Sequence, residues 1–268
     1  MFLPDKIYFD HSQSKMRNEG NIVSAREYFL KKKNKNLYHL LKNRFSWMNN
    51  FIKDNDNIIE LGCGPALVKE FIDNKNYKTS DIMKADFIDI NGVDAISTGF
   101  LDNSYSVVIS SNLIHHVAHP LKLFNEVHRI LKPGGHYIIQ DVNFSFMNQL
   151  IILLMRIEGY DKTTDILNEE VPCNDINDPW SGNNAIPNLI FDNFEMFNSR
   201  LGNKFELIYS KKNEFLVFIN SGGVIAKTFY IPLNDFLNKL VIKFDNQLTR
   251  LHKIFALQQS VVLKKIKK

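Results

Sequence analysis

The chain has 268 residues, enough for one large domain, since single cores stop growing at roughly 250–300 residues. Hydrophobic residues make up 44% and charged residues 23%, close to the globular average, which excludes a mostly disordered chain. The formal net charge of +4 is matched by the lysines of the closing "KKIKK" (Lys264, Lys265, Lys267, Lys268), so the body is near neutral and no nucleic-acid partner is expected.

In chain order, the first predicted element is a docked helix over 37–52, where Leu37, Leu40, Leu41, Phe45, Met48, Phe51 and Ile52 fall at helical spacing. Strands and helices then alternate: strand 57–61, helix 66–73, short strands near 77–80 and 92–96, and a buried strand ending at Ser110. A helix over 120–131 with Leu121, Phe124, Val127, Ile130 and Leu131 on one face leads to the strand "HYIIQDV". This alternation predicts a parallel sheet covered on both faces. Between helix and strand lies "KPGG", with Pro133 and Gly134 placed as a type II turn places them. The regularity weakens after Asp141. The end holds three predicted strands, "KFELIYS", "EFLVFIN" and "SVVLKK", with a helical insert around 233–255 between the last two. The expected organisation is a helical cap over 1–55 and a domain over 56–268, with substrate-binding insertions at about 144–200 and 222–257.

Cys63 and Cys173 cannot build a disulfide framework or a four-ligand zinc site. The charged first thirty residues carry no signal-peptide core, and the longest apolar run, "LIILLM" at 150–155, falls far short of the roughly 20 residues of a membrane helix. A cytoplasmic protein without an integral membrane segment is expected.

In "NIIELGCGPALVKEF", 57–71, an apolar strand ends in an acid and feeds a glycine turn, which lets backbone N–H groups approach a ligand. The dinucleotide fingerprint fails, because its third glycine would fall at Leu67. Glu60, Gly62, Gly64 and Ala66 instead fit acid-x-Gly-x-Gly-x-small. With Asp81 in "YKTSDIM", with "DAISTGFLDNSYSVVISSNLIHHV" (94–117) and with "EVHRILKPGG" (126–135), the chain resembles the class I S-adenosylmethionine-dependent methyltransferases over about residues 55–142.

That resemblance implies an α/β fold with a Rossmann-like, seven-stranded, mostly parallel sheet, helices on both faces and a helical cap. It implies S-adenosyl-L-methionine as cofactor, with contacts at Glu60, Gly62, Cys63, Gly64, Asp81, Ile82, Asp94, Ala95, Ser110 and Asn112. Asp81 would accept the ribose hydroxyls, Asp94 the adenine amino group, and Phe100 would pack behind the ring. Ser106 stands where many relatives carry an acid.

His115 and His116 follow the fourth strand, at the edge where open α/β sheets bind ligands, and either could take a proton as a methyl group transfers; both could equally be structural. His115 and His119 have the spacing of a metal pair, but Pro120 and the lack of a third ligand leave no metal expected. "RIEGYD" and "NDPWSGNNAIP" supply Glu158, Tyr160, Trp180, Asn183 and Asn184 as candidate substrate residues. With "NSGGV" (220–224), the second of these segments loosely resembles bacterial surface-polysaccharide methyltransferases. The expected activity is O-methylation of a small-molecule or saccharide acceptor. A quinone, lipid or amine acceptor would be favoured by an apolar pocket under the cap, and a cofactor-binding partner subunit without turnover is the non-enzymatic alternative.

Overall fold

The computed structural model describes residues 4–9, 21–31, 33–156, 158–178, 181–224 and 227–266. In chain order the elements are β1 (Lys6–Tyr8), α1 (Ile22–Leu30), α2 (Lys35–Phe45), β2 (Ile58–Leu61), β3 (Tyr77–Asp81), β4 (Ile90–Asn91), β5 (Tyr105–Ser111), α3 (Pro120–Ile130) and β6 (Leu131–Val142). They continue with α4 (Phe146–Met155), β7 (Gly159–Asp161), α5 (Ile186–Phe191), α6 (Phe194–Arg200), β8 (Phe205–Asn213), α7 (Leu216–Ile219), α8 (Asp235–Leu251) and β9 (Gln258–Lys265).

Seven strands form one sheet in the order β4-β3-β2-β5-β6-β9-β8, and β1 pairs with β7 in a separate ribbon. β4, β3, β2, β5 and β6 run parallel, while β9 is antiparallel to both β6 and β8. The central strands are apolar on both faces because both are covered. Ile58, Val107, Ile109 and Ile138 meet Leu37, Leu40, Leu41 and Phe45 of α2 on one face. Ile59, Val108, Tyr137 and Ile139 meet α3, α5 and α6 on the other. This is the two-residue alternation of a strand applied to two helical layers. Strand order reverses between β2 and β5, so their carboxyl ends frame the crevice where such sheets take ligands.

Several predicted elements differ. The helix expected over 66–73 is a single 3-10 turn, Val68–Phe71, because Ala66 sits in the left-handed region (φ 52°) and Ile72 is already extended. The glycine loop therefore does not run directly into an α-helix. The strand expected at 92–96 reduces to Ile90–Asn91 followed by a turn bridging Asp94 and Ser97. The helix expected over 37–52 ends at Phe45 and continues as a 3-10 turn, Ser46–Phe51.

"EFLVFIN" is not a strand. The Asp245 carboxylate accepts the Phe215 and Leu216 N–H groups at 2.9 and 2.7 Å, starting α7 from a distant helix. Glu214 (φ 62°) breaks the chain away from β8 just before it. Gly134 has φ 77°, as the third position of a type II turn requires. Of the closing lysines, Lys265 is buried, its Nζ donating to Asn103 Oδ1 and to the carbonyls of His128 and Leu131, while Lys267 and Lys268 lie outside the described residues.

Candidate active site

A cavity of about 960 Å³ opens at the carboxyl edge of β2 and β5, at the upper end of the usual small-molecule range. The glycine loop forms one wall. Gly62 is in the left-handed region (φ 63°), and a Cβ there would lie 2.5 Å from Leu113 Cδ1. Gly64 (φ 49°) has open space where a Cβ would be, so its missing side chain leaves room on the cavity side. The loop is tied to β3: Gly64 N–H donates to Asp81 Oδ2 at 2.7 Å and Met83 N–H to Asp81 Oδ1 at 2.8 Å. Each oxygen retains a second lone pair for a hydroxyl donor.

Glu60 lies beneath the loop, fully buried. Its Oε2 accepts the Tyr77 hydroxyl at 2.8 Å, whereas its Oε1 is buried without a hydrogen-bond partner. Burial pushes this carboxyl up to about 8, against the Tyr77 hydrogen bond, with Asp81 adding to the rise. An orphaned buried oxygen beside a glycine-walled cavity fits a ligand ammonium group. Asp94 also lines the cavity, its Oδ1 capping the turn through Ile96 N–H at 3.0 Å. Glu126 braces this turn by accepting Thr98 N–H at 2.8 Å and the Thr98 hydroxyl at 2.5 Å. Together these groups fit S-adenosylmethionine: a partnerless acceptor for its amino group, a carboxylate for its ribose and a turn for its adenine.

Not every expected cofactor residue borders the cavity. Gly62, Cys63, Gly64, Ile82, Ala95 and Asn112 do. Ser110 does not; it is fully buried with its hydroxyl on Tyr137, and its neighbour Ser111 lines the cavity instead. Burial pushes the Cys63 thiol up, which keeps it in its neutral, unreactive form. Phe100 packs edge-on to Tyr105 against the core and is not part of the lining.

At the cavity floor the 3-10 turn Ile114–His116 presents both imidazoles, and Asp141, at the end of β6, holds that turn. One Asp141 oxygen accepts Ile114 N–H at 2.8 Å and the other meets His115 Nδ1 at 2.5 Å. Glu158 faces both rings, 3.5 Å from His115 Nε2 and 3.7 Å from His116 Nε2. His116 Nδ1 contacts the Ser181 carbonyl at 3.0 Å, which fixes Nδ1 as the donor and leaves Nε2 with its lone pair. Glu158 is held in the left-handed region (φ 57°), and a Cβ on Gly182 would come 3.0 Å from its Oε2. Backbone strain of this kind collects at functional sites.

The charges are ordered by position. Burial would lower His115, but Asp141 and Glu158 outweigh it and raise the imidazole to about 10. Burial would raise Glu158, but His115 and then His116 bring it down to about 2. Burial and the His115 charge together push His116 below its ordinary value. At neutral pH the cluster therefore holds a cationic His115 between two carboxylates and a neutral His116. One ligating atom each from His115, His116 and Glu158 lie within 4.8 Å of one another, a grouping the His115/His119 spacing did not reveal.

Among the expected substrate residues, Glu158 and Asn184 line the cavity, and Asn184 Nδ2 donates to Glu158 Oε2 at 3.0 Å. Tyr160 and Asn183 do not. The Tyr160 ring is buried against Phe144, with its hydroxyl on the Pro4 carbonyl. The Asn183 amide is spent on Asp161, Thr164 and Ala185. Trp180 lies outside the described residues. Sequence reasoning missed Asp141, whose signal was its place at the carboxyl end of the strand beside "IHH". It also missed Arg44, which lines the cavity and is locked in a buried pair with Glu214 at 2.6 Å.

A family profile described as a methyltransferase domain matches residues 25–209. The chain is 32% identical over 95 residues to the highly reducing polyketide synthase aurA of Calcarisporium arbuscula, a match covering 35% of this chain and only 3% of that protein. A SAM-dependent methyltransferase from Archaeoglobus fulgidus is 15% identical, with 89% of this chain and 99% of that chain covered and a TM-score of 0.49. One from Methanosarcina mazei is 15% identical, with 83% and 98% covered and a TM-score of 0.45. The chain belongs to the methyltransferase domain family.

Proposed function

We propose that the chain methylates a hydroxyl on an acceptor with a largely apolar body, and that the cap and the cluster at the cavity floor select and activate it. The observation that carries this is the placement of His115, His116 and Glu158 in the same cavity as Gly62, Gly64 and Asp81. S-adenosylmethionine supplies an electrophilic sulfonium methyl when bound, so much of the rate comes from alignment. Gly62 admits the Leu113 side chain behind the loop and Gly64 leaves room on the cavity side; Glu60 would take the cofactor's amino group, Asp81 its ribose, and Asp94, Ala95 and Ile82 its adenine. Cys63 and Asn112 complete the wall.

At the floor, His116 is the group in the right state to accept the acceptor's proton, at Nε2. Glu158 then faces the resulting imidazolium, and Asn184 holds Glu158 in position. The cationic His115, itself held by Asp141, keeps that carboxylate ionised. Leu37, Leu40 and Leu41 of α2 and Ile151, Ile152 and Met155 of α4 line the same cavity, and we assign them to its acceptor end. These side chains favour a quinol- or lipid-like body over a polysaccharide precursor, whose hydroxyls would meet few partners there. We assign the helices before residue 55 and the insertions at about 144–200 and 222–257 to the cap.

The test is incubation of the protein with methyl-deuterated cofactor and separate lipid, quinol and glycan extracts, read by mass spectrometry. A labelled methyl in the lipid or quinol fraction is expected. Label confined to the glycan fraction restores the saccharide acceptor, and cofactor binding without any labelled product assigns a binding role without turnover.

A further inference from the structure

We propose that α8 and the segment entering it form a docking surface for an anionic lipid bilayer. α8 is turned inside out. Its buried residues are polar: Asn238, Asp245 and Thr249. Asn238 Nδ2 donates to Asn36 Oδ1 at 3.2 Å and to the Leu233 carbonyl at 3.1 Å, and Asp245 caps α7. The Thr249 hydroxyl donates back to the Asp245 carbonyl at 2.9 Å. Hydrogen bonds, with Val241 and Ile242 packed at their side, thus fix the helix to the body by its polar face.

The opposite face is apolar and exposed. Phe236 is 68% exposed, Phe244 60% and Leu251 65%, with Leu237 and Leu240 between them. At 3.6 residues per turn these five share one stripe. Lys239, Lys243 and Arg250, spaced four and seven residues apart, form a second stripe directly beside it, and all three are exposed. Phe229 and Ile231, 77% and 68% exposed, extend the apolar surface into the entering segment. Ile231 is held there rather than loose, because its N–H donates to Asn220 Oδ1 at 2.7 Å and its carbonyl accepts Asn36 Nδ2 at 2.9 Å.

An apolar stripe edged by cations is what a helix lying in a bilayer interface presents, with aromatic and aliphatic groups entering the acyl boundary and cations meeting anionic headgroups. The acids of α8 leave the cations unanswered: Asp235 pairs with Lys35 and His39, and Asp245 is buried. A second copy presenting the same face would offer no counter-charge on this helix, whereas an anionic bilayer does. No helix among the described residues is long and apolar enough to cross a membrane, so the contact is interfacial. Phe218, Gly223 and Val224, just before the entering segment, wall the cavity, which places its rim close to the lipid. The surface stands independently of the acceptor's class.

The test is co-sedimentation of the full chain with phosphatidylcholine vesicles, with and without phosphatidylglycerol, at low and high salt. Binding to the anionic vesicles that weakens with salt is expected. Phe236→Glu/Phe244→Glu should abolish it, and Lys239→Glu/Lys243→Glu should lower partitioning by roughly tenfold or more. Unchanged cofactor affinity in both variants shows that they are folded. Failure of the wild-type protein to sediment with anionic vesicles at low salt overturns the proposal. So does a dimer that these substitutions convert to monomer, which would assign the face to a second copy.

Discussion

Asp141 controls His115 from two sides, accepting the N–H of the residue before it at 2.8 Å and its Nδ1 at 2.5 Å. The same carboxylate thus sets the turn, the ring orientation and the charge. Asp141→Asn should drop the His115 pKa well below about 10 while His116 stays neutral at pH 7. Histidine ring NMR during a pH titration reads both. Because the partner left behind is buried, Asp141→Ala should cost about 3–5 kcal/mol in urea unfolding.

Glu60 should give up a proton when the cofactor arrives. Its pKa of about 8 leaves it mostly neutral at pH 7, and an ammonium group at the free oxygen favours the carboxylate. Calorimetry at pH 7 in buffers of different ionisation enthalpy should therefore show proton release on binding. Glu60→Gln should abolish that release and weaken binding.

The two loop glycines should fail differently. Gly62→Ala forces a Cβ into Leu113 at a left-handed position and should lower stability by about 1–3 kcal/mol, measured by thermal unfolding. Gly64→Ala meets no protein atom, so its folding cost should stay near about 1 kcal/mol while cofactor affinity falls more steeply.

Stability of the cofactor-free protein should decline from mildly acidic to alkaline pH. Glu60 is raised from 4.5 to about 8 and His115 from 6.5 to about 10, so the folded state binds more protons than the unfolded state across those intervals. Glu158, lowered to about 2, acts on the other side, and its contribution is lost as pH falls from 4.5 through 2. Melting temperature against pH should peak at mildly acidic pH, and Glu60→Gln should flatten the slope between 4.5 and 8.

What the sequence made legible depended on distance along the chain. Glu60, Gly62 and Gly64 sit on one strand-turn unit and Asp81 ends the next strand, so the family resemblance carried by these local motifs grouped them. Asp141 reaches His115 across 26 residues through sheet register, which no local pattern encodes. α7 forms because Asp245, about 30 residues later, caps it, against an apolar run that reads as a strand. Glu158 comes within reach of both imidazoles through a left-handed backbone at Arg156 and Glu158 itself. The helical insert around 233–255 was legible as α8, but not that its polar face is the one that meets the body.

The proton-transfer assignment is tested most directly by labelled-methyl transfer at saturating cofactor, comparing wild type with His116→Ala and Glu158→Gln. Both variants should bind S-adenosylmethionine as the wild type does and lose roughly 100-fold or more of the transfer rate. Transfer at the wild-type rate in both variants would contradict the assignment of the cavity floor as the acceptor-activating site.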